Sequence, residues 1–197
     1  SHELRTPLTA IGGALSLSVS GQLGALPAPA LKLLEIAQKN SQRLAELIND
    51  LLDIDKLSVG KLEMELEVQL LMPIVDDAIL SMTSYAQKYD VHIVLGARYE
   101  YLMVKVDARR LRQVLVNFLS NAAKFSPRGE EIIINLDVSF DKVKIEVIDH
   151  GRGIPEHFHT KIFQKFSQAD SSDSRSVGGT GLGLAISKEL VERMGGH

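Results

Sequence analysis

The spacing of apolar residues changes character at residues 59–61, and this change constrains the fold more than any other feature of the sequence. Before it, apolar residues recur every three or four positions, which predicts a helix at the N-terminus and a second from about Pro29 to Leu57. A glycine-containing break at residues 21–27 separates the two. After it, stretches of alternating apolar residues are mixed with further helical stretches. The sequence therefore predicts an α+β protein of two domains, a helical hairpin over residues 1–59 and an α/β sandwich over residues 60–197.

Each helix of the predicted hairpin carries one apolar stripe. A hairpin of two such helices buries little apolar surface, whereas two-fold dimerisation into a four-helix bundle would bury both stripes. We therefore expect a homodimer through this hairpin. The stripe residues are Leu4, Leu8, Ile11 and Leu15 in the first helix and Leu44, Leu47, Ile48, Leu51 and Leu52 in the second.

The second domain is predicted to mix strands with two long helices. Residues 142–149 should pair with 131–139 as a hairpin across Phe140 and Asp141, and Asp107 is expected to cap a helix. Residues 160–180 are rich in serine, aspartate and glycine, which is typical of a mobile loop or lid. The predicted strands are 62–70, 91–97, 101–106, 131–139 and 142–149, and the predicted helices are 73–89 and 107–124.

Composition excludes several classes of function. The chain has 197 residues, 45% of them hydrophobic, and a formal net charge of -3, so we expect no nucleic-acid partner. It contains no cysteine, which excludes disulfides and thiolate metal sites. No apolar run reaches the ~20 residues of a membrane-spanning helix, so we expect no membrane contact by this segment.

The N-terminal sequence Ser-His-Glu-Leu-Arg-Thr-Pro-Leu offers a nucleophile. A neutral imidazole nitrogen of His2 can attack a γ-phosphorus, while the neighbouring Glu3 carboxylate takes or holds the proton on the other ring nitrogen. Thr6 lies one turn further on the same face, where its hydroxyl can position a water. Pro7 provides no N–H for the Glu3 carbonyl and should bend the helix. An isolated His-Glu pair would be explained as well by a solvated helix surface.

Three further segments suit a nucleotide. Asn117 and Asn121 share a helix face with Lys124, and amide oxygens suit Mg²⁺. Asp149 ends a strand before Gly151 and Gly153; its carboxylate can accept a hydrogen bond from the exocyclic amine of adenine, and glycines let the backbone approach a flat ring. Finally, Gly-Gly-Thr-Gly-Leu-Gly-Leu at 178–184 is a glycine-rich turn that opens a helix, where backbone N–H groups can hold phosphate. Each of these patterns is weak alone.

Together and in this order, the motifs resemble the H, N, G1, F and G2 boxes of a sensor histidine kinase. The resemblance implies that His2 is the phosphorylation site, that Glu3 and Thr6 belong to the kinase and phosphatase machinery, and that Asn121 ligates Mg²⁺. Phe163 and Phe166 resemble the F box at the base of the lid, where we expect them to be packing anchors. The implied ATP-binding residues are Asn117, Asn121, Lys124, Asp149, Gly151, Gly153, Phe163, Phe166, Gly179, Thr180, Gly181, Leu182 and Gly183.

The implied activity is ATP-dependent autophosphorylation on His2 and phosphoryl transfer to an aspartate of a response regulator receiver domain, with phosphatase activity toward that regulator as a further expectation. The resemblance implies a cytoplasmic segment, of a soluble protein or of a membrane-anchored sensor. The family adds one or two strands beyond the position of His197, so we expect the catalytic domain to be truncated at its C-terminal end.

Two alternatives remain at this point. One is a non-transferring ATPase related to gyrase and Hsp90; those enzymes carry a water-activating glutamate at the position of Asn117 and lack the His2 helix. The other is a signalling scaffold with a degenerate kinase, against which the intact nucleotide motifs argue. Labelled ATP separates the three, since only the kinase yields an acid-labile, base-stable label on the protein.

Overall fold

The computed structural model describes residues 2–58, 62–168 and 180–197, and for residues 2–5, 56 and 58 it describes the backbone alone. The chain divides into two compact units, Ser1–Leu62 and Glu63–His197.

The first unit is a hairpin of two helices, α1 (His2–Val19) and α2 (Ala28–Ser58). The turn between them uses Gly21 and Gly24 at φ values of 77° and 106°, a region that glycine enters without a Cβ penalty. Many apolar side chains of the hairpin remain exposed, and an open groove of about 310 Å³ lies between the helices, lined in part by Leu8, Gly12 and Ala45. The exposed apolar residues are Ile11, Leu17, Leu23, Leu26, Leu33, Ile36, Leu44 and Leu51.

The second unit is an α/β sandwich, as predicted. Its mixed three-stranded sheet has the order β2-β4-β5, with β2 parallel to β4 and β5 antiparallel to it, and β1 and β3 form a separate antiparallel pair. The elements are β1 (Glu67–Leu70), α3 (Leu71–Tyr89), β2 (His92–Leu95), β3 (Met103–Val106), α4 (Ala108–Phe125), β4 (Glu131–Val138), β5 (Val143–Ile148), a 3₁₀ turn (Glu156–Phe158) and α5 (Gly183–Arg193).

The core of this unit lies between the helices and the three-stranded sheet. Side chains from α3, α4 and β4 meet there with no exposed surface, among them Val75, Leu119 and Ile134. Helix α4 packs against α3 and also against α5. Helix α4 is therefore central to the unit. Because its apolar face is fixed in the core, the orientation of its polar face is fixed as well.

Two local predictions are confirmed. The Asp107 carboxylate caps α4, since its Oδ1 accepts the Arg110 N–H at 3.0 Å. The β4–β5 hairpin turns at Phe140 and Asp141, and the Ser139 N–H donates to the Lys142 carbonyl at 2.9 Å.

The predicted strand 62–70 is wrong over its first half, because only Glu67–Leu70 is a strand. The Glu65 N–H donates to Asp107 Oδ2 at 3.1 Å, so a side chain rather than a neighbouring strand holds this backbone. Within β1 itself, Val68 is 64% exposed, while the Gln69 amide donates to the Val106 carbonyl at 2.9 Å. The alternation in the sequence therefore marks a short edge strand whose apolar side chains face outward.

An ion pair holds the connection between β2 and β3 on α3. The Arg98 guanidinium donates two hydrogen bonds to the Asp76 carboxylate, at 2.9 and 2.7 Å, and a third to Glu100 at 2.6 Å. The hydrogen bond from Arg98 lowers the pKa of Asp76 below its ordinary value. Because both side chains are exposed, the pair adds little to stability.

Candidate functional site

Helix α4 forms one wall of the candidate site. Asn117, Asn121 and Lys124 follow each other at spacings of four and three, so they lie along one face, and all three are half-buried. The opposite face packs into the core through residues such as Leu115 and Leu119. In the described part of the chain, no hydrogen bond engages the side-chain amide of Asn121, which leaves its oxygen free to take a ligand.

Asn117 contacts the first two turns of α5. Its Nδ2 donates to Ser187 Oγ at 2.9 Å, and its Oδ1 lies against Gly183 so closely that a Cβ at position 183 would overlap it. Helix–helix packing therefore favours glycine at 183, in addition to the phosphate role predicted from the glycine-rich turn.

The turn at residues 149–153 lies at the C-terminal end of α4. Asp149 Oδ1 accepts the Gly151 N–H at 2.8 Å, and a Cβ at Gly151 would come within 2.9 Å of the Phe125 carbonyl oxygen. The Arg152 guanidinium lies 5.8 Å from the Phe125 ring centroid. Asp149 is exposed, and Gly153 adopts a φ of 71°. Since Phe125 follows Asn117 by eight residues, the two ends of this wall are about 12 Å apart at ~1.5 Å per residue.

The described part of the glycine-rich turn begins at Thr180, and Gly179 lies outside the described residues. Thr180 Oγ1 accepts the Leu182 N–H at 3.1 Å, and Leu182 is buried as an anchor. Gly181 adopts a φ of 71°, and a Cβ there would lie 2.9 Å from the Phe166 carbonyl carbon. The N-cap residue of α5, Leu182, makes no side-chain capping hydrogen bond, and the first N–H groups of an α-helix have no partner within the helix.

The predicted base of the lid, at Phe163 and Phe166, contacts the glycine-rich turn through its backbone and not through buried aromatic rings. Phe163 and Phe166 are 42% and 63% exposed, so the expectation that their rings are packing anchors is wrong. Phe166 contributes its backbone instead, at a φ of 62° and in contact with Gly181. The Lys188 ammonium lies 5.5 Å from the Phe163 ring centroid. Most of the predicted lid, residues 169–179, lies outside the described residues.

The predicted acceptor segment belongs to the other unit. Helix α1 begins at His2 and contains Pro7, and Thr6 is exposed on it. The side chains of His2 and Glu3 are outside the described part of the structure.

Sequence reasoning missed Ser187, Phe125 and Arg152. Ser187 could have been found, because it follows Gly183 by four residues and so shares its helix face. Phe125 and Arg152 meet only through the fold. Among the described residues, no group of three or more histidine, aspartate or glutamate side chains could hold a metal ion. The described helices include none that is long and apolar enough to cross a membrane.

Two family models match the chain: the His Kinase A (phospho-acceptor) domain over residues 1–60, and the histidine kinase-, DNA gyrase B- and HSP90-like ATPase over residues 106–197. The circadian input-output histidine kinase CikA of Synechococcus elongatus is 35% identical over 199 residues, an alignment that spans 100% of this chain and 26% of CikA.

Two solved structures resemble the whole chain. Full-length ShkA in complex with AMPPNP is 28% identical with a TM-score of 0.78, and the match covers 98% of this chain and 40% of ShkA. The histidine kinase ThkA in complex with the response regulator protein TrrA is 25% identical with a TM-score of 0.67, covering 99% of this chain and 53% of ThkA. The order of the two matched domains and the fold agree, and the chain belongs to the histidine kinase family, of which it carries the phospho-acceptor domain and the ATPase domain.

Proposed function

We propose that the protein phosphorylates itself on His2 with the γ-phosphoryl group of ATP and then passes the group to an aspartate of a response regulator. In this proposal residues 1–59 are the dimerisation and phosphotransfer hairpin and residues 60–197 the catalytic domain. The observation that carries it is the position of the α4 wall: one end meets the Asp149 turn and the other meets the uncapped start of α5. Family membership supports the same conclusion.

In this proposal ATP lies along α4 with its adenine at the Asp149 end and its phosphates at the start of α5. At the C-terminal end of α4, Asp149 presents an exposed carboxylate that can accept a hydrogen bond from the adenine amine, and Gly151 lets this turn lie against the Phe125 carbonyl. At the other end, the first N–H groups of α5 suit phosphate oxygens. Lys124, on the same face of α4 as Asn121, supplies positive charge for the triphosphate. The complex of ShkA with AMPPNP shows that a related fold takes an ATP analogue.

In the proposed reaction, an imidazole nitrogen of His2 attacks the γ-phosphorus, a nitrogen–phosphorus bond forms, and the bond to the leaving oxygen of ADP breaks. Glu3 holds or takes the proton of the other ring nitrogen. Mg²⁺, held by Asn121, would neutralise phosphate charge. The rest of the catalysis by this chain is positioning.

The proposed partner is a receiver domain, supported by the complex of ThkA with TrrA. The phosphoramidate on His2 would donate its phosphoryl group to the receiver's aspartate. We also propose that the exposed Thr6 hydroxyl orients a water for hydrolysis of the resulting acyl phosphate, which would make the protein a phosphatase as well.

Dimerisation through the hairpin is part of the proposal. The exposed apolar side chains of α1 and α2 and the groove between these helices are features that a second copy of the hairpin would cover. The protein would act in the cytoplasm, where ATP is available.

A labelling experiment tests the proposal. Incubation with Mg²⁺ and γ-labelled ATP should place an acid-labile, base-stable label on the protein, and His2→Gln should abolish it while nucleotide affinity stays within twofold of wild type. Release of free phosphate without protein label would favour the ATPase alternative, and neither product would favour the scaffold.

A further inference from the structure

Ser187 is a buried polar residue that the proposed chemistry does not use. It lies on α5 with 2% of its surface exposed, and Asp107 is the other buried polar residue in the described part of the chain. A buried hydroxyl without a partner is costly, so its partner indicates why it is there. That partner is the side-chain amide of Asn117, which donates to Ser187 Oγ at 2.9 Å from a position 70 residues away in the sequence.

The amide of Asn117 is held on both of its sides. Its nitrogen donates to Ser187, and its oxygen lies against Gly183, one turn earlier on the same face of α5. One side-chain amide of α4 therefore contacts both Gly183 and Ser187 of α5. Because the N–H groups at the start of α5 belong to Gly183 and its neighbours, a shift of the Asn117 side chain would move them.

We propose that Ser187 is a positioning residue of the nucleotide site: it fixes the Asn117 side chain and thereby aligns the first turn of α5 with the α4 wall, where the triphosphate binds. This inference rests on the proposed function. It predicts an effect limited to the phosphate end, because the Asp149 turn contacts α4 at Phe125, two turns away from Asn117.

The test compares ATP with adenosine by calorimetry in the presence of Mg²⁺. Ser187→Ala should weaken ATP binding about three- to tenfold, the range expected for one net hydrogen bond, and should change adenosine binding less than twofold. Ser120→Ala is the matched control, because the Ser120 hydroxyl bonds the backbone carbonyl of Asn117 and not its side chain. That control should leave both affinities within twofold of wild type.

A double-mutant cycle separates positioning from a general loss of structure. In an Asn117→Ala background, Ser187→Ala should weaken ATP binding no further. Equal losses for ATP and adenosine, or the same loss in both backgrounds, would overturn the inference. Ser187→Cys offers the Asn117 amide only a weak acceptor in a side chain of similar size, so it should also weaken ATP binding more than adenosine binding, and it replaces Ser187→Ala if that variant does not fold. A wild-type protein that binds neither compound would instead refute the proposed function.

Discussion

Replacing Gly183 by alanine should destabilise the second unit, although the same change usually stabilises a helix. Position 183 does not adopt a left-handed φ, so alanine is allowed there by the backbone. Helix propensity alone would then favour alanine by roughly 0.5–1 kcal/mol. The added Cβ, however, would overlap Asn117 Oδ1 and lie 2.9 Å from its Cγ, so the Asn117 side chain would have to shift, and the shift would strain or break its hydrogen bond to Ser187.

The expected magnitude follows from these opposing effects. Overpacking of this kind costs roughly 1–3 kcal/mol, and loss of the hydrogen bond adds about 1 kcal/mol. After the propensity gain is subtracted, Gly183→Ala should lower the free energy of unfolding by about 1–3 kcal/mol. In an Asn117→Ala background the obstacle is absent, and the same substitution should raise the free energy of unfolding by up to about 1 kcal/mol.

Urea unfolding of the four variants measures this sign change, since a shift in midpoint at constant m reports stability. The Asn117→Ala background is the control, because it removes the atoms that lie nearest to the added Cβ. If Gly183→Ala destabilises the protein equally with and without the Asn117 side chain, the contact between them does not explain the glycine.

Four further outcomes are expected. Asp149→Asn should weaken ATP binding by more than ~1 kcal/mol but affect GTP much less, because guanine lacks the amine that the carboxylate would bind; equal losses in a titration of both nucleotides would remove Asp149 from adenine recognition. Thr6→Ala should retain autophosphorylation and lose phosphatase activity toward the phosphorylated regulator, and parallel loss of both activities would assign Thr6 a structural role. Asp107→Ala should lower the free energy of unfolding by about 2 kcal/mol, and Asp107→Asn by less, because asparagine keeps one of the two acceptors; denaturation midpoints would show the order. Arg98→Gln should cause a small loss of stability at neutral pH: since Arg98 lowers the pKa of Asp76, the contribution is fully present above the ordinary value of 3.8 and is lost as pH falls from 3.8 through the lowered pKa, so a difference between wild type and mutant that grows as the pH is lowered would contradict this account.

Local signals allowed much of the fold to be predicted from the sequence. Asp107 was predictable as a cap because a capping side chain bonds an N–H only three residues away. The hairpin around Phe140 was predictable because its alternation and its turn lie within one short stretch. The proposed site motifs were predictable because each lies within a few residues on one helix or in one turn.

Contacts between distant segments were not predictable in this way. The strand expected at 62–66 is replaced by a bond to Asp107, and nothing in the alternating pattern indicates that a side chain 42 residues away takes the backbone N–H. The exposure of Phe163 and Phe166 depends on how the base of the lid meets Gly181. The bond between Asn117 and Ser187 exists only once α4 and α5 have packed.

The parallel pairing of β2 with β4 has a consequence for folding. His92 pairs with Glu131, and the chain between the two strands contains β3 and the whole of α4. The helix that carries Asn117, Asn121 and Lys124 is thus the crossover of a parallel unit. Pairing of this kind is non-local and slow to form. Helix α4 therefore reaches its final position on the sheet only when β2 pairs with β4. During synthesis or refolding, the ability to hold ATP would therefore appear together with the late, non-local contacts.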